Sequence, residues 1–110
     1  MSKKKIYLFC EAGMSTSIMV NKMMEVVTSH DMPLEIAAFP VARVKEMVEK
    51  ERPIAIVLGP QVRFLLDKIK TEYEAQGIPV SSVAPEAYGM MDGERALKDI
   101  LKSVKTFKKD

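Results

Sequence analysis

The sequence predicts an α/β fold in three layers: a four-stranded parallel sheet, with strand order 2-1-3-4, flanked by helices on both faces. Short apolar runs alternate along the chain with segments whose apolar residues recur at helical spacing, which is typical of parallel sheets with right-handed crossovers. The chain has 110 residues, 47% hydrophobic and 29% charged. This size and composition predict one domain over residues 1–110.

Four strands are predicted from the apolar runs. Residues 6–9 and 54–58 are apolar throughout, as expected for central strands that are buried on both faces. Residues 34–39 follow an Asp-Met-Pro break and residues 80–83 follow Gly-Ile-Pro. Both segments are less apolar, which indicates edge strands.

Four helices are predicted between and after the strands. The first follows a turn from Gly13 to Ser17, Pro40 opens a shorter second helix, and Asp92 is the expected N-cap of the last one. The apolar stripes are Val20, Met23 and Val27; Val44, Met47 and Val48; Val62, Leu65, Leu66, Ile69 and Tyr73; and Leu97, Ile100, Leu101 and Val104.

Composition narrows the classes of function. No stretch approaches the roughly 18 apolar residues that span a bilayer, and no secretory h-region follows Met1, so we expect a cytoplasmic protein. One cysteine and one histidine cannot form an internal disulfide or a zinc cage by themselves, so we expect no metal and no cofactor. Residues 6–97 carry nine basic and 13 acidic side chains, and aromatic residues are 6% of the chain, which argues against nucleic-acid binding.

The ligand site of such a sheet lies at the carboxyl ends of its strands, and Cys10 lies there, directly after the first strand. A helix N-terminus in this position favours an anion and a nucleophilic thiolate. A phosphoryl group on the sulfur would be held by loop amides and hydroxyls, so the sequence predicts a phosphocysteine. The predicted phosphate-binding loop consists of Glu11, Ala12, Gly13, Met14, Ser15, Thr16 and Ser17.

The loop is similar to that of the low-molecular-weight tyrosine phosphatases, which use Cys, five residues, Arg and then Ser or Thr. The sixth residue after Cys10 is Thr16, and a hydroxyl does not replace the bidentate charge of a guanidinium. We therefore expect a temporary phosphoryl holder. Alternatives are a phosphatase-like hydrolase without its arginine, a thiol reductase without its second cysteine, or a non-enzymatic phosphate- or anion-binding module in which Cys10 is a buried apolar residue.

Other residues admit two interpretations each. The segment Gly59-Pro60-Gln61 ends the third strand at the edge of the sheet that carries Cys10, where it lines the site or makes an ordinary tight turn. Asp92 is a general acid or, in the favoured interpretation, an N-cap. His30 is at the far end of the first helix from Cys10, so we expect a solvated helix-end residue and not a phosphoryl carrier.

Several segments together resemble the IIB component of the lactose/cellobiose/chitobiose branch of the bacterial phosphoenolpyruvate-dependent sugar phosphotransferase system. The resemblance covers nearly the whole chain. It is carried by Ile6-Tyr7-Leu8-Phe9-Cys10, Ala12-Gly13-Met14-Ser15-Thr16-Ser17, Phe39-Pro40, Leu58-Gly59-Pro60-Gln61, Tyr88-Gly89 and Asp92-Gly93.

The resemblance implies a relay with named partners. Cys10 would take a phosphoryl group from a phosphohistidine of the IIA protein and pass it to a β-linked disaccharide at the IIC membrane permease. The disaccharide would be cellobiose or chitobiose, with lactose left open. The protein would associate with the membrane only transiently, through the permease, and we expect a monomer. The expected partner surface consists of Gly59, Pro60, Gln61, Tyr88 and Asp92.

Overall fold

The computed structural model describes residues 3–11 and 14–107, and for Met14 and Ser15 it describes the backbone alone. Its sheet has four parallel strands in the order β2-β1-β3-β4, which confirms the predicted order. The strands are β1 Lys4–Cys10, β2 Leu34–Pro40, β3 Ala55–Leu58 and β4 Val80–Ser82.

Five α-helices connect and follow the strands within the described residues. They are α1 Met14–Ser29, α2 Val44–Lys50, α3 Leu66–Glu74, α4 Pro85–Gly89 and α5 Gly93–Thr106. Two 3-10 segments, Val41–Arg43 and Pro60–Leu65, precede α2 and α3. No helix in this described part of the chain is long and apolar enough to cross a bilayer.

The structure corrects four details of the predicted elements. Helix α1 begins at Met14, so residues 14–17, predicted as part of a turn, belong to the helix. Pro40 does not open an α-helix, because its extended backbone ends β2 and α2 begins only at Val44.

The other two corrections concern the third helix and the end of the chain. The segment predicted as one helix from Val62 is 3-10 at first, because Val62 has a non-helical φ of −117°. Helix α4 was not predicted, because its five residues are too few to show a helical apolar period.

The sheet separates two apolar cores. Side chains alternate along a strand, so Ile6 and Leu8 of β1 face one core while Tyr7 and Phe9 face the other. The α1/α5 face comprises Ile6, Leu8, Met19, Met23, Val27, Leu34, Ile36, Ala55, Val57, Val83, Ala87, Tyr88, Ala96, Leu97 and Ile100. The α2/α3 face comprises Tyr7, Phe9, Met47, Val48, Ile56, Leu58, Val62, Ile69, Tyr73, Ile78 and Val80.

The register of the sheet brings the carboxyl ends of all four strands to one edge. Cys10 pairs with Pro40, Phe9 pairs with Leu58, and Leu58 pairs with Ser82. The segments that follow these strands therefore begin at the edge of the sheet that carries Cys10.

A tight turn joins α4 to α5 at the same edge. Met91 adopts a left-handed φ of 50°, its N–H donates to the Tyr88 carbonyl at 3.1 Å, and the Asp92 N–H donates to the Ala87 carbonyl at 2.8 Å. These two bonds form a Schellman motif that ends α4. The Asp92 carboxylate accepts from the N–H of Arg95 at 3.1 Å, which confirms the predicted N-cap of α5.

Candidate functional site

Cys10 is the last residue of β1 and is nearly buried, with 3% of its surface exposed. Strand alternation places its side chain on the side of the sheet that Ile6 and Leu8 occupy, which is the α1/α5 face. The Cys10 sulfur accordingly contacts Thr16 of α1, and Thr16 in turn contacts Tyr88 of α4.

One thiol and two hydroxyl groups form a hydrogen-bonded row beside the first turn of α1. The Cys10 sulfur lies 2.6 Å from Thr16 Oγ1, and Thr16 Oγ1 lies 3.3 Å from the Tyr88 hydroxyl oxygen. The Cys10 thiol also donates to the backbone carbonyl of Glu11 at 2.7 Å. Thr16 is 2% exposed and Tyr88 is 7% exposed, so these hydrogen-bonded groups are buried from solvent.

Local structure explains why Thr16 reaches the sulfur. Strand β1 ends at Cys10 and α1 begins at Met14, so Thr16 falls in the first turn of α1. Residues in the first turn of a helix lie beside backbone N–H groups that have no partner within the helix, and the helix dipole is positive there. The sulfur and the Thr16 hydroxyl therefore meet where a negative charge is favoured.

Gly59 forms one wall beside Cys10. Its N–H donates to the Phe9 carbonyl at 2.8 Å, and a Cβ added at Gly59 would lie 3.2 Å from the Cys10 Cβ. The absence of a side chain thus permits the close approach of the two strand ends. The Val62 N–H also donates to the Gly59 carbonyl at 3.1 Å, so the segment Gly59-Pro60-Gln61 both borders Cys10 and turns tightly.

The predicted phosphate-binding loop is described only in part. Glu11 and Ser17 are exposed, and Thr16 points at the sulfur. Ala12 and Gly13 lie outside the described residues. The binding of phosphate by this loop stays a prediction.

The expected partner surface divides into exposed and buried members. Gln61 and Asp92 are exposed, Pro60 is half-buried and Gly59 is buried. Tyr88 does not lie on the exposed surface: its ring belongs to the α1/α5 core, and its hydroxyl contacts Thr16. Sequence reasoning placed Tyr88 near the site but missed this role, because the short helix that turns it inward has no recognisable period.

Large exposed apolar side chains follow three of the strands. Ile18 in α1 is 47% exposed, Phe64 after β3 is 77% exposed, and Met90 after α4 is 80% exposed.

His30 is exposed directly after the end of α1, as predicted, and is therefore remote from Cys10.

Shifted pKa values occur away from this chain of groups. Burial raises the pKa of Tyr7, whose hydroxyl donates to the Glu51 carbonyl at 2.6 Å, and burial also raises the pKa of Tyr73. Both tyrosines belong to the α2/α3 face. In residues 3–11 and 14–107, no three His, Cys, Asp or Glu side chains are grouped to hold a metal ion.

A family model and several known proteins are similar to this chain. The family described as "PTS system, Lactose/Cellobiose specific IIB subunit" matches residues 5–99. The oligo-beta-mannoside-specific EIIB component of Bacillus subtilis (strain 168) is 39% identical over 98 residues, covering 89% of this chain and 93% of that protein. The galactose-specific EIIB component of Lactococcus lactis subsp. cremoris (strain MG1363) is 35% identical over 100 residues, covering 88% and 93%.

The fold is shared with a solved structure of the same family. The cellobiose-specific phosphotransferase IIB component from Borrelia burgdorferi matches with a TM-score of 0.78 and 28% identity, over 99% of this chain and 98% of that one. The chain therefore belongs to the lactose/cellobiose-specific IIB subunits of the phosphotransferase system, the sugar-specific phosphotransfer components.

Proposed function

We propose that Cys10 carries the phosphoryl group in this protein, accepting it from a phosphohistidine of the IIA protein and passing it to the sugar at the IIC permease. The observation that carries the proposal is the position of the sulfur. It lies at the carboxyl edge of the sheet, beside the first turn of α1, within 2.6 Å of the Thr16 hydroxyl. A sulfur with a neighbouring donor and a helix N-terminus is suited to becoming a thiolate nucleophile.

The two transfer steps balance without an additional reagent. In the first step the thiol loses its proton, an S–P bond forms, the P–N bond of phosphohistidine breaks, and the released imidazole gains a proton. In the second step a sugar hydroxyl oxygen attacks phosphorus and the S–P bond breaks. The sugar hydroxyl loses its proton and the released thiolate gains one.

Loss of the thiol hydrogen removes the bond from Cys10 to the Glu11 carbonyl, while the start of α1 remains beside the sulfur. Thr16 occupies the place of the phosphatase arginine and brings a hydroxyl, not a positive charge, to the sulfur. The site thus favours a held phosphoryl group over hydrolysis.

The names of the relatives suggest the class of sugar. The two relatives above are named for an oligo-beta-mannoside and for galactose, and the structural neighbour is named for cellobiose. We propose a β-linked disaccharide, with cellobiose or chitobiose tested first and lactose next. We further propose that residues 1–110 act in the cytoplasm as one monomeric IIB domain, reaching the membrane only through the permease.

The proposal is tested by intact-protein mass after incubation with a phosphorylated IIA protein, followed by peptide mapping under mild conditions. We expect one phosphoryl group on Cys10, none on Cys10→Ser, and full labelling of the control His30→Gln. The group should leave when permease and cellobiose are added.

Other outcomes would replace the proposal. No adduct would leave a non-covalent anion-binding module, and labelling of His30 would move the carrier. Steady release of inorganic phosphate without permease would indicate a phosphatase-like hydrolase.

A further inference from the structure

The direction of each hydrogen bond around Cys10 follows from counting hydrogens. The Glu11 carbonyl can only accept, so the single thiol hydrogen of Cys10 points to it. The Thr16 hydroxyl must then donate its own hydrogen to the sulfur, at 2.6 Å. With that hydrogen in use, Thr16 accepts from the Tyr88 hydroxyl at 3.3 Å. The chain therefore runs from Tyr88 through Thr16 to Cys10.

We propose that Tyr88 is a positioning residue for phosphoryl transfer, because its buried hydroxyl keeps the hydrogen of Thr16 directed at the Cys10 sulfur. The inference rests on the proposed role of Cys10. A threonine hydroxyl rotates about its C–O bond, so Thr16 alone does not fix where its hydrogen points. A donor on its oxygen removes that freedom and strengthens the bond it donates.

The surroundings of Tyr88 hold its hydroxyl in place. Its ring packs in the α1/α5 core, and the Schellman motif after α4 fixes the backbone at Tyr88. Helix α5 starts immediately beyond, where Gly93 lies directly against the backbone of Lys22 in α1. Helices α1 and α4 are thereby held relative to one another, which sets the distance between Thr16 and Tyr88.

The thiolate is the state in which this arrangement matters. When Cys10 loses its hydrogen, it can no longer donate to the Glu11 carbonyl. The Thr16 hydroxyl still donates its hydrogen to the sulfur. The described hydrogen bonds connect Tyr88 to the sulfur through Thr16, and this is the path by which we propose that it acts.

Tyr88→Phe tests the inference because it removes the hydroxyl and keeps the ring. We expect alkylation of Cys10 by iodoacetamide at pH 7, and phosphoryl acceptance from phosphorylated IIA, to slow by about three- to tenfold, the range of one hydrogen bond. The difference in rate between Tyr88→Phe and the unsubstituted chain should shrink as the pH is raised, because hydroxide then removes the thiol proton in both. A purely structural role for Tyr88 would not produce this pH dependence.

A double-mutant cycle tests whether Tyr88 acts through Thr16. Thr16→Val should slow both reactions more than Tyr88→Phe does, and Tyr88→Phe added to Thr16→Val should cause no further loss. Thr16→Ser, which keeps the hydroxyl, should retain the sensitivity to Tyr88→Phe. Additive losses in the double variant would overturn the inference.

Tyr7→Phe is the matched control, since it removes a hydroxyl hydrogen bond on the opposite face of the sheet. It should leave both rates unchanged. Equal rates for Tyr88→Phe and the unsubstituted chain, or equal losses in Tyr88→Phe and Tyr7→Phe, would overturn the role of Tyr88. Failure of IIA to label Cys10 in the unsubstituted chain would instead overturn the relay, and alkylation alone would then decide whether Tyr88 positions the thiol.

Discussion

The two faces of the sheet are built from different side chains. On the α2/α3 face the rings of Tyr7 and Phe9 meet edge to face, with centroids 6.0 Å apart and an interplanar angle of 77°. The α1/α5 face is mainly aliphatic and methionine-rich, and it carries the polar chain of Cys10, Thr16 and Tyr88 at one end.

This difference shows how one strand serves packing and chemistry together. Because alternate residues of β1 face opposite sides, Cys10 shares the face of α1, whose N-terminus follows it directly. The proposed chemistry therefore depends on the α1/α5 face, and the aromatic face serves as scaffold. Substitutions on the two faces should consequently separate stability from reactivity.

The largest expected change in stability comes from a cavity in the scaffold. Ile69→Ala in α3 removes a buried side chain from the α2/α3 face and should lower the free energy of unfolding by about 2–5 kcal/mol. Urea denaturation measures the loss. The rate of Cys10 alkylation in the folded variant should not change, and a changed rate would contradict the separation of the two faces.

Two glycines on the side of the site give a matched pair. A Cβ at Gly93 would lie 2.5 Å from the backbone carbon of Lys22, whereas a Cβ at Gly89 would meet nothing within 4 Å. Gly93→Ala should destabilise the fold by about 1–3 kcal/mol, as overpacking does, and should also slow alkylation because α1 and α5 move apart. Gly89→Ala should leave thermal melting and alkylation nearly unchanged. Equal melting temperatures for the two variants would contradict this contact.

The α2/α3 face should lower the stability of the fold at alkaline pH. Burial raises the pKa of Tyr7 and Tyr73 above the usual value of 10.0, so the folded state keeps these protons after the unfolded chain has lost them. The contribution of these tyrosines to stability is thus constant below about pH 10 and falls as pH rises beyond it. Urea midpoints between pH 9 and 11 should fall less steeply in the Tyr7→Phe/Tyr73→Phe double variant. An unchanged slope would show that these tyrosines do not govern the loss.

The smallest effect is expected from an exposed ion pair between β1 and β2. The hydrogen bond from Lys5 to Glu35 raises the pKa of Lys5 and lowers that of Glu35. Its contribution is lost as pH falls through the range of the carboxyl or rises through that of the amine. Glu35→Gln should shift the urea midpoint slightly at neutral pH, and the shift should vanish in high salt. A large shift, or one that persists in salt, would contradict the assignment to a weak surface pair.

Much of the site was predictable because its signals are local. The apolar run before Cys10 defines a central strand, and the turn and helix that follow it place the thiol at the carboxyl edge. The N-cap at Asp92 was also predictable from its position before an apolar stripe. The 3-10 segment at Val62 and the inward position of Tyr88 were not, because neither leaves a periodic pattern.

The sequence by itself determined the order and type of the main elements, the edge of the sheet that carries the candidate site, and the position of Cys10, the proposed nucleophile, at that edge. These features depend on residues that are neighbours along the sequence: the period of the apolar residues, the residues that break strands and helices, and the cysteine at the end of a strand. Only the tertiary structure decided that the hydroxyls of Thr16 and Tyr88, 72 positions apart, meet beside Cys10. That contact depends on the crossing of α1 and α5 at Gly93 and on the turn at Met91. Packing between distant segments sets both, and short-range sequence patterns do not encode it.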